Sequence, residues 1–295
     1  MFELQDRLAK SALVKCHIPG IDYVINPYIG CRFACIYCYA SFMGRFNGKK
    51  VGDWGEYVFP KTNIKEVLKK DIRTLKNKGR DLEILMSTVT DPYQGVEAKY
   101  KLTRACLETL REYGFEGIMA ILTKSDLVLR DVDILKQFKR SVVGVTVTST
   151  NDSISRYFEK YAPPAKIRIQ TLKTLNAEGI STYAFIGPLL PHFVSQTDEL
   201  EKIFKEIANA GTRDVFVEHL NLAPYLRGRF LEEMKGTDAE IIKKFYLSQS
   251  HEYRDELDEL VVELIKKYNL RLLTDSVIFH SEFQALDDNK GRRKM

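Results

Sequence analysis

The chain has no apolar run close to the eighteen or so residues that a membrane helix needs. Its start, Met-Phe-Glu-Leu-Gln-Asp-Arg, lacks the charged-then-apolar order of a secretory signal. On these two absences neither a membrane span nor export is expected, and a cytoplasmic protein is. Cysteine is scarce: five residues, an odd number with three of them bunched, which is no disulfide framework and suits a reducing compartment. Charge of one sign is scarce too, with 45 basic against 40 acidic residues and a net charge of +5, too little to demonstrate a nucleic-acid partner. The basic tail Lys290-Gly-Arg-Arg-Lys294 reads as a solvated end. No linker, repeat or low-complexity segment marks an independent second domain. What is present is a 295-residue chain, 44% hydrophobic and 29% charged, the make-up of a globular protein with a large core.

The three bunched cysteines carry the most information. Cys31, Cys35 and Cys38 stand as C-x3-C-x2-C within Asn26-Pro-Tyr-Ile-Gly-Cys-Arg-Phe-Ala-Cys-Ile-Tyr-Cys-Tyr39. A four-iron cluster takes four ligands, normally thiolates, so three on one loop leave one iron with an open position. Pro27 and Gly30 punctuate a turn that lets the thiols curl around a metal. The competing readings are a zinc knuckle and a set of inert buried thiols. Structural zinc wants four ligands, usually in pairs, and the nearest candidates for a fourth, Cys16 and His17, have no partner spacing. Cys106, in a helical stretch, reads as a small buried hydrophobe. No cysteine follows it, so a second cluster with its own ligands is not expected.

Beyond the loop, short apolar β-branched runs alternate with amphipathic segments, as in a parallel sheet of βαβ units. Strands are expected at Tyr23–Ile29, Leu82–Ser87, Ile118–Thr123, Val142–Thr148, Thr182–Ile186 and Val215–His219. Helices are expected at Asn63–Lys78, Leu102–Tyr113, Val132–Lys139, Ile167–Ala177 and Thr197–Ala210, with apolar residues such as Leu68, Ile72, Leu75 and Leu107, Leu110 at helical spacing. Gly79, Gly114, Gly179 and Gly211 follow four of these helices where a positive φ ends the last turn. Six such units fit an α/β fold of the incomplete (β/α)6 barrel type, although a doubly wound sheet would show the same alternation. Residues 1–225 are read as the core with its lead-in, and 226–295 as a helical C-terminal extension, with a charged helical stretch at Asp238–Tyr268 and a strand at Leu270–Phe279.

The cysteine loop, with its aromatic Tyr37 before the last cysteine, resembles the radical S-adenosylmethionine (SAM) superfamily. Within it, Asn26-Pro-Tyr-Ile-Gly-Cys31, Cys35-Ile-Tyr-Cys-Tyr-Ala40, Thr90-Asp-Pro-Tyr-Gln94, Thr103-Arg104, Thr123-Lys-Ser125, Leu129-Arg-Asp131 and Gly187-Pro-Leu-Leu-Pro191 resemble the spore photoproduct lyase-like branch over about residues 20–225. The resemblance implies the incomplete barrel, a 4Fe-4S cluster on Cys31, Cys35 and Cys38, and SAM on its open iron. It further implies an electron donor of flavodoxin or ferredoxin type, and reductive cleavage of SAM to a 5′-deoxyadenosyl radical that abstracts hydrogen. A SAM pocket needs a cation, oxygen acceptors and an apolar wall. Arg168 is the expected partner of the SAM carboxylate, Ser149 and Asn151 of the ribose, Ser87 and Thr88 of the amino group, and Tyr37 of the adenine, while Lys124 is expected to touch cofactor or substrate. Each of these also has a plain reading as a cap, turn residue or surface pair, and Asp126 and Asp131 in particular read as caps. Lyases of the branch carry a cysteine that ends the second strand and returns hydrogen to the product radical. Here that stretch is Met86-Ser-Thr-Val-Thr-Asp91, so Tyr93 is the candidate donor, with Cys16 and Cys106 as substitutes. The substrate stays open among a nucleic-acid base, a peptide side chain and a metabolite. The rival of another class is a non-catalytic iron-sulfur or zinc protein that recognises a partner.

Overall fold

In the computed structural model, which describes residues 2–280, six parallel strands run side by side in the order in which they occur in the chain. They are β1 (Tyr23–Ile25), β2 (Glu83–Met86), β3 (Ile118–Thr123), β4 (Arg140–Thr146), β5 (Ser181–Leu189) and β6 (Asp214–His219). Registers such as Tyr23 with Ile84, Glu83 with Ile118, Val142 with Ser181 and Tyr183 with Asp214 hold the row together. This order decides between the two folds that periodicity left open. A doubly wound sheet reverses its strand order at a switch point. A row that never reverses, joined by right-handed crossovers, puts every helix on one face, which is barrel geometry. The row does not close: Val14–Lys15 pairs antiparallel with β1 at one edge, and at the other β7 (Arg271–Leu272) pairs parallel with β6.

The helices that follow the strands and form the C-terminal part are α1 (Ile64–Asp71), α2 (Leu102–Tyr113), α3 (Val132–Leu135), α4 (Asp152–Phe158), α5 (Ala165–Ala177), α6 (Thr197–Asn209), α7 (Pro224–Glu233), α8 (Ala239–Leu247) and α9 (His251–Lys267), with a further α-helical turn at Glu97–Tyr100 and several 3-10 turns between them. Their apolar stripes build the core: Leu68, Ile72, Cys106, Leu107 and Leu110 join Ile84, Met86, Met119 and Ile121 of the sheet in one buried cluster. At about 25 cal/mol per Å2 of apolar area, this burial is the main force that holds helices to sheet. The glycines expected to end helices all have positive φ.

Several boundaries depart from the sequence reading for local reasons. The first strand stops at Ile25 because Pro27 has no N–H to donate to the ladder. Tyr28–Ile29 instead pairs antiparallel with Tyr57–Pro60, in a small sheet beside the main one. The expected helix to Lys78 ends at Asp71 and continues as two 3-10 turns, with Asn77 and Lys78 at φ 49° and 56°. Only one α-helical turn, α3, forms in Val132–Lys139. The charged stretch Asp238–Tyr268 is two helices, and the Ser250 hydroxyl accepts the Tyr253 N–H at 3.3 Å to start the second. The strand expected at Leu270–Phe279 shortens to β7 plus a single bridge between Glu218 and Ile278. No helix among the described residues is long and apolar enough to cross a membrane. The basic tail Lys290–Lys294 lies outside the described residues.

Candidate cluster and cofactor site

The cysteine loop leaves the small sheet at Gly30, whose φ of +83° only glycine adopts cheaply. A Cβ at this position would lie 2.4 Å from the Tyr57 carbonyl oxygen. The Gly30 carbonyl accepts hydrogen bonds from the Thr90 hydroxyl (2.6 Å) and the Gln94 amide (3.1 Å), and Gln94 Oε1 accepts the Arg32 N–H at 2.7 Å. Thr90-Asp-Pro-Tyr-Gln94 is therefore a brace that fixes the entry to Cys31. Asp91 ties that brace to the end of β3, accepting from the Thr123 hydroxyl (2.7 Å) and the Lys124 N–H (2.8 Å). Phe33, Trp54, Tyr57, Phe59 and Ala162 pack against Cys31 and Cys35 as an apolar floor, and Cys38 lies partly exposed at its edge. Burial raises all three thiols, Cys35 to about 12. Thiolates in this loop therefore need positive charge around them, and the ionic groups of the neighbouring loops bear on that.

Glu159, fully buried at the end of α4, is the centre of those groups. Its backbone bridges to Cys35, and its carboxylate accepts from the hydroxyls of Tyr37, Thr148 (2.9 Å) and Ser155 (3.2 Å). It pairs with Arg168 and, at 3.7 Å, with Lys124. Burial alone would raise its pKa, but Arg168 and Lys124 outweigh burial and hold the carboxyl at about 2. Arg168 is fully engaged: besides Glu159 it donates to the Pro163 carbonyl (2.8 Å), the Ser155 hydroxyl (3.2 Å) and the Thr146 carbonyl (3.5 Å), and it is 1% exposed. The Lys124 side chain keeps 16% exposure, and its ammonium lies 5.9 Å from the Tyr37 ring.

Most of the residues named from the sequence do surround this loop, in differing states. Ser87, at φ 69°, is buried at the end of β2, and its hydroxyl faces the Ile25 carbonyl at 3.4 Å. The Thr88 N–H binds Asn26 Oδ1 at 3.1 Å, and the Thr88 carbonyl accepts the Tyr39 hydroxyl. Ser149 is buried and accepts the Asn151 N–H at 2.9 Å, while Asn151 caps α4. Tyr93 does not face the pocket expected for it. The turn at Asp91-Pro92, pinned by the Thr103 hydroxyl on the Pro92 carbonyl (2.5 Å), sends its ring fully into the main core, 5.9 Å from the Arg130 guanidinium. Asp131 is no cap: it is buried between Arg104 (2.9 Å) and Arg130 (2.8 Å), and Arg130 also pairs with buried Glu97 at 2.6 Å. Thr90, Gln94, Glu159 and Arg229 were missed. The first two stood in a quoted motif read through its tyrosine, and Arg229 lies past the stretch that carries the resemblance.

Comparison with known proteins agrees with this arrangement. The model of the radical SAM superfamily matches residues 25–207. An uncharacterized protein of Methanocaldococcus jannaschii is 36% identical over 265 residues, 90% of this chain and 93% of that protein. A radical SAM Nalpha-GlyT isomerase of Pseudomonas phage M6 is 26% identical over 198 residues, 65% of this chain and 38% of that protein. Among solved structures, spore photoproduct lyase complexed with dinucleoside spore photoproduct superposes with a TM-score of 0.67 at 15% identity, covering 90% of this chain and 78% of that one, a likeness of fold. With its three-cysteine loop set at the head of an open row of parallel strands and a family match across most of that row, the chain belongs to the radical SAM superfamily.

Proposed function

We propose that this radical SAM enzyme holds a 4Fe-4S cluster on Cys31, Cys35 and Cys38, binds SAM against Lys124 and Tyr37, and acts on a substrate that carries a nucleobase. The observation that carries the reading is the donor set: three thiols on one braced loop, with Lys124 and Arg168 favouring a Cys35 thiolate and Lys124 and Arg229 a Cys38 thiolate. A 4Fe-4S cluster held there would, once reduced by an external one-electron donor, supply the electron for reductive cleavage of SAM.

The chain's own residues then have distinct tasks. Lys124, partly exposed and already turned toward an anion, is the cation best placed for the SAM carboxylate, because every nitrogen of Arg168 is spent on the protein. Glu159 fixes the Tyr37 hydroxyl and so the plane of the ring against which adenine would lie. The nucleobase reading is supported by the segment leaving Cys38, where Tyr39 and Phe46 are exposed and the Arg45 guanidinium lies 5.1 Å from the Phe42 ring and 4.8 Å from the Phe46 ring. Exposed aromatics beside arginine suit base stacking.

The test is anaerobic. Dithionite-reduced, iron-loaded protein given SAM is expected to release 5′-deoxyadenosine slowly, faster with oligonucleotides than with peptides, and Cys35→Ala is expected to release none. Equal product from both proteins overturns the mechanism, and acceleration by peptides alone overturns the substrate class.

A further inference from the structure

Arg229, on α7 and beyond the residues matched by the family model, reaches back under the cysteine loop. It is 8% exposed, and its guanidinium donates to the carbonyls of Cys35 (3.0 Å), Ile36 (3.4 Å) and Ala34 (3.4 Å). Its Nε has no hydrogen-bond partner among the described residues. No carboxylate lies within 4 Å of it there either: Glu233, one turn further along α7, is taken by Lys160 at 2.6 Å. A buried cation held only by neutral carbonyls is costly, and a nearby anion is what would offset that cost. The anions near enough to act on it are Glu233, which it shares with Lys160, and the thiolates of Cys35 and Cys38 in the loop that Arg229 grips.

On the cluster reading above, we infer that Arg229 is a positioning residue for the cluster: it fixes the backbone between Cys35 and Cys38 and supplies the positive charge that makes one-electron reduction easier. The electron comes from an external low-potential one-electron donor, and no bond is made or broken in this step. The same helix holds the far side of the loop, since the Tyr225 hydroxyl donates to the Tyr39 carbonyl at 3.0 Å and its ring meets Phe42 edge-on at 5.6 Å. The C-terminal segment thus completes the cluster site.

The experiment is an EPR-monitored redox titration of the full, anaerobically reconstituted chain, with iron content measured in parallel, for wild type, Arg229→Met and Arg229→Lys. Removing the charge is expected to lower the reduced-to-oxidised ratio about tenfold at a fixed potential, about 59 mV for a one-electron couple. Lys keeps the charge and is expected to stay near wild type. Arg229→Met with full iron and an unchanged potential overturns the inference, as does a Lys variant displaced as far as Met. If Met loses iron, the Lys variant decides: iron and potential retained support the charge, iron lost overturns it in favour of a purely structural fork. A wild-type chain that takes up no iron defeats the cluster reading itself, a result separate from any difference among the variants.

Discussion

At the scale of single residues, Glu159 explains which cation does what. Sequence reasoning assigned the SAM carboxylate to Arg168 because a guanidinium fork matches that group. The fork is matched, but by a protein carboxylate nine residues earlier in the chain. Nothing local in Phe158-Glu-Lys-Tyr161 signals that its backbone folds back onto Cys35, so this partner was not legible, whereas the shared loop of the three cysteines was plain from their spacing. The two cations therefore differ in what their loss does. Arg168→Met leaves a buried carboxylate short of its main partner, and urea unfolding is expected to show a loss of about 3–5 kcal/mol. Lys124→Met, at a partly open position, is expected to weaken SAM binding by roughly 1.5–3 kcal/mol, the range for a hydrogen bond to a charged group, with a smaller loss of stability. Weaker SAM binding in a stable Arg168→Met protein, with Lys124→Met unaffected, would restore the first assignment.

At the scale of elements, the strands were legible because buried parallel strands are short β-branched runs with few competing patterns. Their ends were less so. Tyr23–Ile29 reads as one apolar run, and only the missing N–H of Pro27 and the bond between Asn26 and Thr88 turn it into two pieces in two sheets. That split carries the chain into the cysteine loop, with Gly30 as its corner. Gly30→Ala would combine a strained positive φ with a clash against Tyr57. The strain alone costs roughly 1–3 kcal/mol, so a lower melting temperature and fewer irons per chain are expected, and native values for both would show that the corner is not needed. Helix α7 escaped the sequence reading because its buried side has a charge in it: Leu226 and Phe230 face inward with Arg229 between them.

For the whole molecule, the open row of strands leaves one end where loops converge, and the candidate site residues gather there because strand ends and loop starts meet on that rim. The α/β alternation was legible from six strands and five helices, four of them followed by a glycine. The non-reversing strand order that makes a barrel of it was not, since pairing is a long-range property. Nor was the role of the described residues after about 225, which return a strand to the sheet edge and a buried arginine to the cysteine loop. On the proposed function, three thiolates hold a cluster whose fourth iron is free for SAM, and EPR spectra of the reduced, reconstituted protein with and without SAM bear on that at once. About four irons per chain are expected, with a spectrum that changes when SAM is added. An identical spectrum in both conditions, from a cluster already closed by a fourth side chain, would contradict it.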